Sequence, residues 1–95
     1  MVLESYVEAY FRRKVAEHGG VEIKLNGTGR RFWPDRLACT PALGLFLCEL
    51  KRPQGGRLSK GQKEAHEQIR NGGGRVFVAW NRDMVDDIFA ATPDR

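Results

Sequence analysis

Pro34-Asp35 is followed, after thirteen intervening residues, by Glu49-Leu50-Lys51. Residues two apart on a β-strand share a face, so an extended stretch here projects Glu49 and Lys51 together, on the side of Leu45 and Leu47. If the preceding stretch, opening at Asp35, pairs with it through a turn at Thr40, Asp35 comes beside the strand's C-terminal end. Two carboxylates and an amine then share one end of a sheet. Hard carboxylate oxygens suit Mg²⁺, which keeps several waters and takes one or two carboxylates together with phosphate oxygens. A cation held there neutralises charge building on a phosphate and acidifies a bound water. The Lys51 ammonium would stabilise hydroxide or the developing pentacoordinate phosphorus. The chemistry this set suits is hydrolysis of a phosphodiester by water. The plainer alternative is an ion pair on a solvated strand end, since E-x-K is a common triplet. Three features favour the chemical reading: the strand is otherwise apolar, Pro-Asp lies one hairpin upstream, and the element order supports a central sheet.

Those elements follow from periodicity. Leu3, Val7, Tyr10, Phe11 and Val15 recur at helical spacing over residues 3–18, and Gly19-Gly20 stops the pattern. Residues 21–25 alternate as a half-buried strand does, and 26–31 is a polar turn with two glycines and two arginines. Phe32-Trp33-Pro34 leads into a strand over 35–39, and Thr40-Pro41-Ala42 is a turn. Residues 43–51 form the most apolar strand, apolar on both faces as in the middle of a covered sheet. A Pro/Gly loop covers 52–57, and Ser59 with Gln62 forms a capping box that opens a helix to Asn71. Gly72-Gly73-Gly74 ends that helix; residues 75–80 read as a fourth strand and 83–90 as a last helix. The order is α-β-β-β-α-β-α, an α/β fold with a mixed sheet flanked by helices.

The 95 residues are expected to form one domain with a thin core, for which pairing with a second copy is a natural remedy. A net charge of +4 favours an anionic partner such as nucleic acid. Cys39 and Cys48 match no metal-ligand spacing and read as buried free thiols. No apolar run is long enough to cross a membrane, and Glu4 and Glu8 interrupt any signal-like run. The expected setting is reducing and intracellular: cytoplasm or nucleoid, or a host cell if the chain is viral.

Glu4, the run Gly29-Arg30-Arg31-Phe32-Trp33-Pro34-Asp35-Arg36-Leu37, Glu49-Leu50-Lys51 and Leu58-Ser59-x-x-Gln62 together resemble the virus-type replication-repair nuclease (VRR-NUC) branch of the PD-(D/E)XK nucleases. The likeness runs from Glu4 to about Trp80, and departs at Phe32-Trp33, where the family tends to carry a smaller residue and then an aliphatic one. It implies a restriction-endonuclease-like αβββαβ core. It also implies that Asp35, Glu49 and the Leu50 carbonyl hold Mg²⁺ or Mn²⁺, and that Lys51 is the catalytic lysine. Glu4 matches the first-helix glutamate, which would orient the metal through water. Glu8, one turn on and on the same face, is the alternative. Gln62 would contact the metal's water shell or the scissile phosphate, although the capping box alone explains it. Single-domain members look like structure-selective endonucleases that cut four-way (Holliday) junctions as homodimers in DNA repair. Flaps or duplex DNA as substrate, or a basic DNA-binding module without catalysis, are the alternatives.

Arg30, Arg31, Arg36, Arg52, Arg57, Lys60 and Lys63 border the expected site and suit phosphate-backbone contacts, with salt-dependent binding. Any single one of them is more simply a solvated charge. Lys60 and Lys63 also open a helix, whose backbone N–H groups favour an anion. Trp33 either stacks on a base at a branch point or packs in the core. His66 falls one turn after Gln62, and nothing in the sequence marks it or His18 as a general base.

Overall fold

Val7, Phe11 and Val15, four apart, form the fully buried stripe of the first helix in a computed structural model that describes residues 4–25, 32–52 and 55–90, with only the backbone of Glu4 and Ser5. The elements are α1 (Glu4–Glu17), β1 (Val21–Lys24), β2 (Arg36–Thr40), β3 (Gly44–Leu50), α2 (Lys60–Asn71), β4 (Val76–Ala79) and α3 (Arg82–Ala90). Their order is the one expected from periodicity. The sheet runs β1-β2-β3-β4, antiparallel across the first two pairs and parallel between β3 and β4. A parallel pair needs a crossover, and α2 provides it. Side-chain caps fix both later helices: Ser59 and Gln62 exchange the two bonds of a capping box, and Asn81 Oδ1 accepts from the Met84 N–H at 2.8 Å.

Alternation along the strands sorts the core. Ala38, Phe46, Cys48 and Leu50 turn to the face covered by α1 and α3, where they meet Val7, Phe11, Val15, Val85 and Ile88. Phe46 sits edge-on to Phe11 at 6.4 Å and to Phe77 at 5.4 Å. Burying a phenylalanine of this kind contributes about 1.5–3 kcal/mol.

The opposite face is only partly covered. Helix α2 packs against β4 and buries Ala65 and His66, which shields the C-terminal end of β3 and leaves the rest open. Along β3, Glu49 is buried and Lys51 half-buried beyond the strand end, while Leu45 is 64% exposed. The expectation of a fully covered strand therefore fails at Leu45: a single helix on this face does not span a four-stranded sheet. Val21, Ile23 and Cys39 are exposed around Leu45 and line a shallow apolar depression with Leu37. Cys39 is accordingly not the buried thiol its apolar neighbours suggest, whereas Cys48 is buried, and burial pushes its thiol well up. Among the described residues no helix is long and apolar enough to cross a membrane.

Candidate active site

The β2–β3 register pairs Arg36 with Cys48. One residue further along both chains sets Asp35 across from Glu49, the juxtaposition expected from the sequence. Asp35 lies just before β2 at a bend, and its Oδ1 accepts the Leu50 N–H at 3.2 Å. Its carboxyl interacts with that of Glu49. Burial pushes Asp35 above the usual carboxylate range, against the pull of the Leu50 and Asp35 backbone N–H groups and of Glu49, and the negative charge of Glu8 adds to the rise. Glu49 is 5% exposed. Two carboxyls are thus pressed together in partial burial, an all-oxygen donor set of the kind that takes a hard divalent cation. Among the described residues no three His, Cys, Asp or Glu side chains converge on one point.

Lys51 follows Glu49 around the strand end, its Nζ 3.9 Å from Glu49 Oε2. The loop beyond it doubles back tightly. A Cβ on Gly56 would stand 2.3 Å from the Arg52 carbonyl oxygen, so only glycine fits there. Trp80, at the end of β4, donates its indole N–H to the Gly56 carbonyl at 2.6 Å and holds the loop in place. The loop delivers the chain to the N-terminus of α2, whose first turn carries no acidic residue and presents exposed Lys60 and Lys63. Arg52 and Arg57 are exposed on the same loop. Gln62 caps the helix through its side-chain oxygen, which accepts from the Ser59 N–H at 2.9 Å.

The aromatic pair before Pro34 divides between the two environments. Trp33 is half-buried, and it is Phe32 that stands exposed, with φ at +73° in the left-handed region. The Phe32 ring lies over Gly61 in the first turn of α2, where an added Cβ would meet it at 2.7 Å.

Arg36 is a correction. It was expected to contact phosphate, yet it is 6% exposed. Strand alternation turns it to the α1 face, where it reaches Glu22 Oε1 at 2.6 Å and Glu8 Oε2 at 2.7 Å. Lys24 and Arg12 flank the pair at 3.6 Å from Glu8 and 3.5 Å from Glu22. Burial opposes ionisation of Glu8, but Arg36 and then Lys24 outweigh it and hold the carboxyl below its usual range. Because the Glu8 charge acts on Asp35, Glu8 is the helix glutamate with a described side chain at this end of the sheet. The side chain of Glu4, and Arg30 and Arg31, lie outside the described residues.

Sequence reasoning placed His66 one turn after Gln62 but gave it no role. Its ring is 1% exposed on α2, with Nε2 3.6 Å from Glu49 Oε1. Burial, then the charges of Arg70 and Lys51, hold it below the usual imidazole range, hence neutral at pH 7. The available signal was its spacing of four from Gln62, which places both on one helical face.

No family model matches the sequence, and no curated protein matches it. A solved structure described as a "VRR_NUC domain" is similar to this chain with a TM-score of 0.84 and 28% sequence identity, over 95% of this chain and 97% of the other.

Proposed function

We propose, from its similarity over 95% of the chain to a solved VRR_NUC domain, that this protein is a VRR-NUC nuclease, a metal-dependent DNA endonuclease whose site is the sheet end at Asp35, Glu49 and Lys51. The observation that carries the reading is the strand register that sets Asp35 across from Glu49, with Lys51 Nζ 3.9 Å from Glu49 Oε2. Two carboxylates side by side suit Mg²⁺ or Mn²⁺, which takes one or two carboxylates and asks for no third protein side chain. Asp35 and Glu49, with the Leu50 carbonyl as a third donor, would hold the ion. When bound, it would supply Lewis acidity at the phosphate and a water acidified for attack.

The chain's own groups do the rest. The Lys51 ammonium stabilises the attacking hydroxide and the charge developing on the phosphorus oxygens. Water attacks the phosphorus and the bond to the leaving oxygen breaks, without a covalent intermediate. Lys60 and Lys63, at the positive end of α2, with Arg52 and Arg57, suit the neighbouring phosphates. The Gln62 oxygen is committed to the cap, which leaves its amide NH₂ as the half that would reach the phosphate or its water. Glu4, or Glu8 one turn on, is the helix carboxylate for the metal's outer water shell. Of the two, Glu8 is held by the buried Arg36 at 2.7 Å.

The substrate we infer is branched DNA, a four-way junction cut by a homodimer in the manner of a Holliday-junction resolvase. Two-fold sites match a substrate with paired strands. The apolar depression around Leu45 supports such pairing, since a second copy placed on it would cover the uncovered sheet face. The test is cleavage of a labelled four-way junction with Mg²⁺, Mn²⁺ or EDTA, alongside Asp35→Ala and matched flap and duplex substrates. Metal-dependent paired nicks, lost in the variant, are expected. Cutting of flap or duplex alone would keep the chemistry and overturn the substrate. Binding without cutting under any metal would leave a DNA-binding module.

A further inference from the structure

His66 is buried to 1% exposure, and neither of its ring nitrogens has a hydrogen-bond partner among the described residues. Buried polar atoms are almost always paired, because an unpaired one carries its full desolvation cost. An orphaned imidazole behind a reactive carboxylate therefore calls for a physical account. Its Nε2 stands 3.6 Å from Glu49 Oε1, too long for a hydrogen bond but within a small side-chain rotation of one. Glu49 Oε2 points elsewhere, toward Lys51 Nζ at 3.9 Å. The two oxygens of one carboxylate thus face different groups, Oε1 toward α2 and Oε2 toward the sheet end.

We propose that His66 is a positioning residue for Glu49: its Nε2–H donates to Oε1 and so presents Oε2 to a divalent cation. The inference rests on reading Asp35 and Glu49 as ligands of that cation. With Oε2 turned to the ion, Oε1 faces α2, and His66 Nε2, 3.6 Å away, is the side-chain donor on that side. A neutral imidazole has one N–H to give, and partners of this outer kind orient metal-bound carboxylates. At 1% exposure the ring does not reach substrate, so it acts through Glu49 and not as a general base. The backbone frame suits this role, since β3 fixes Glu49 and α2 places His66 one turn beyond the Gln62 cap.

The test is calorimetric titration of Mn²⁺ into the full chain, with His66→Phe to fill the space without a donor and His66→Gln to restore one. Mn²⁺ affinity should fall about 10–100-fold in the phenylalanine variant and largely return in the glutamine variant. In ¹⁵N-labelled wild-type protein, added Mg²⁺ should shift the His66 Nε2 resonance, and Asp35→Ala should abolish that shift. The spectrum decides the matter even if His66→Phe fails to fold. Unchanged Mn²⁺ affinity in a folded phenylalanine variant, glutamine no better than phenylalanine, or a resonance unmoved by Mg²⁺ would each overturn the role of His66 while leaving the site intact. Wild-type protein that binds no Mn²⁺ would overturn the ligand assignment itself, and this inference with it.

Discussion

Replacing Arg36 with alanine separates a structural arginine from a phosphate-binding one. The guanidinium makes two short charge-assisted contacts, 2.6 Å to Glu22 and 2.7 Å to Glu8. Hydrogen bonds to charged groups contribute about 1.5–3 kcal/mol each, so two would total roughly 3–6 kcal/mol. The glutamate side chains keep 15% and 20% of their exposure, against 7% for Arg36, and Arg12 and Lys24 remain beside them, so part of the loss is recovered by water and by these neighbours. We expect a net destabilisation of about 3 kcal/mol, the lower end of the range for breaking a buried ion pair. In a domain of this size that lowers the melting temperature by roughly 12–24 °C. Urea and thermal unfolding followed by circular dichroism at pH 7 measure it. Adding Glu8→Gln and Glu22→Gln to the alanine variant should recover part of the loss, because no unpaired carboxylates are left behind. A loss of under about 1 kcal/mol, typical of an exposed pair, would refute the reasoning and return Arg36 to the DNA-contacting set.

Lys51→Ala should lower turnover about 10²–10³-fold while Mn²⁺ and junction binding persist, because the amine serves the transition state; near-normal cleavage would remove it from the chemistry. Asp35→Asn should raise the metal-free urea midpoint at pH 7. Burial lifts the folded carboxyl above its ordinary value, so its ionised form is penalised on folding at neutral pH, and asparagine lacks that penalty. The gap between variant and wild type should shrink as pH falls through the raised folded value towards the ordinary one; a gap that widens on acidification would contradict the burial argument. Leu45→Glu should leave a folded monomer by analytical ultracentrifugation, since it puts a charge on the open apolar face; an unchanged dimer mass would place pairing elsewhere.

Local chemistry made the secondary structure legible: the α1 stripe, the Ser59–Gln62 cap and the apolar run of β3 each rest on neighbours within a few positions. The pairing of Asp35 with Glu49 was legible for the same reason, since one hairpin fixes it. Arg36 was misread because a basic residue after Pro-Asp looks solvent-facing, although the alternation Arg36, Ala38, Thr40 assigns it to the α1 face. Leu45 and Cys39 depended on how far α2 extends across its face. His66 depended on which side of α2 meets β3, a property of the crossover and not of the helix.

That crossover also sets when the site comes into being. Asp35 and Glu49 are joined by a short hairpin, so a chain emerging from synthesis can pair them early. Helix α2 packs against β4, and the loop before it is pinned by Trp80 at the far end of that strand. Until the last quarter of the chain has paired parallel to β3, α2 lacks the strand it packs on and His66 is not held beside Glu49. Parallel pairing across an intervening helix is intrinsically slow. An incomplete or still-folding chain would therefore carry the acidic pair without the apparatus around it, and would acquire its function only at the final docking step.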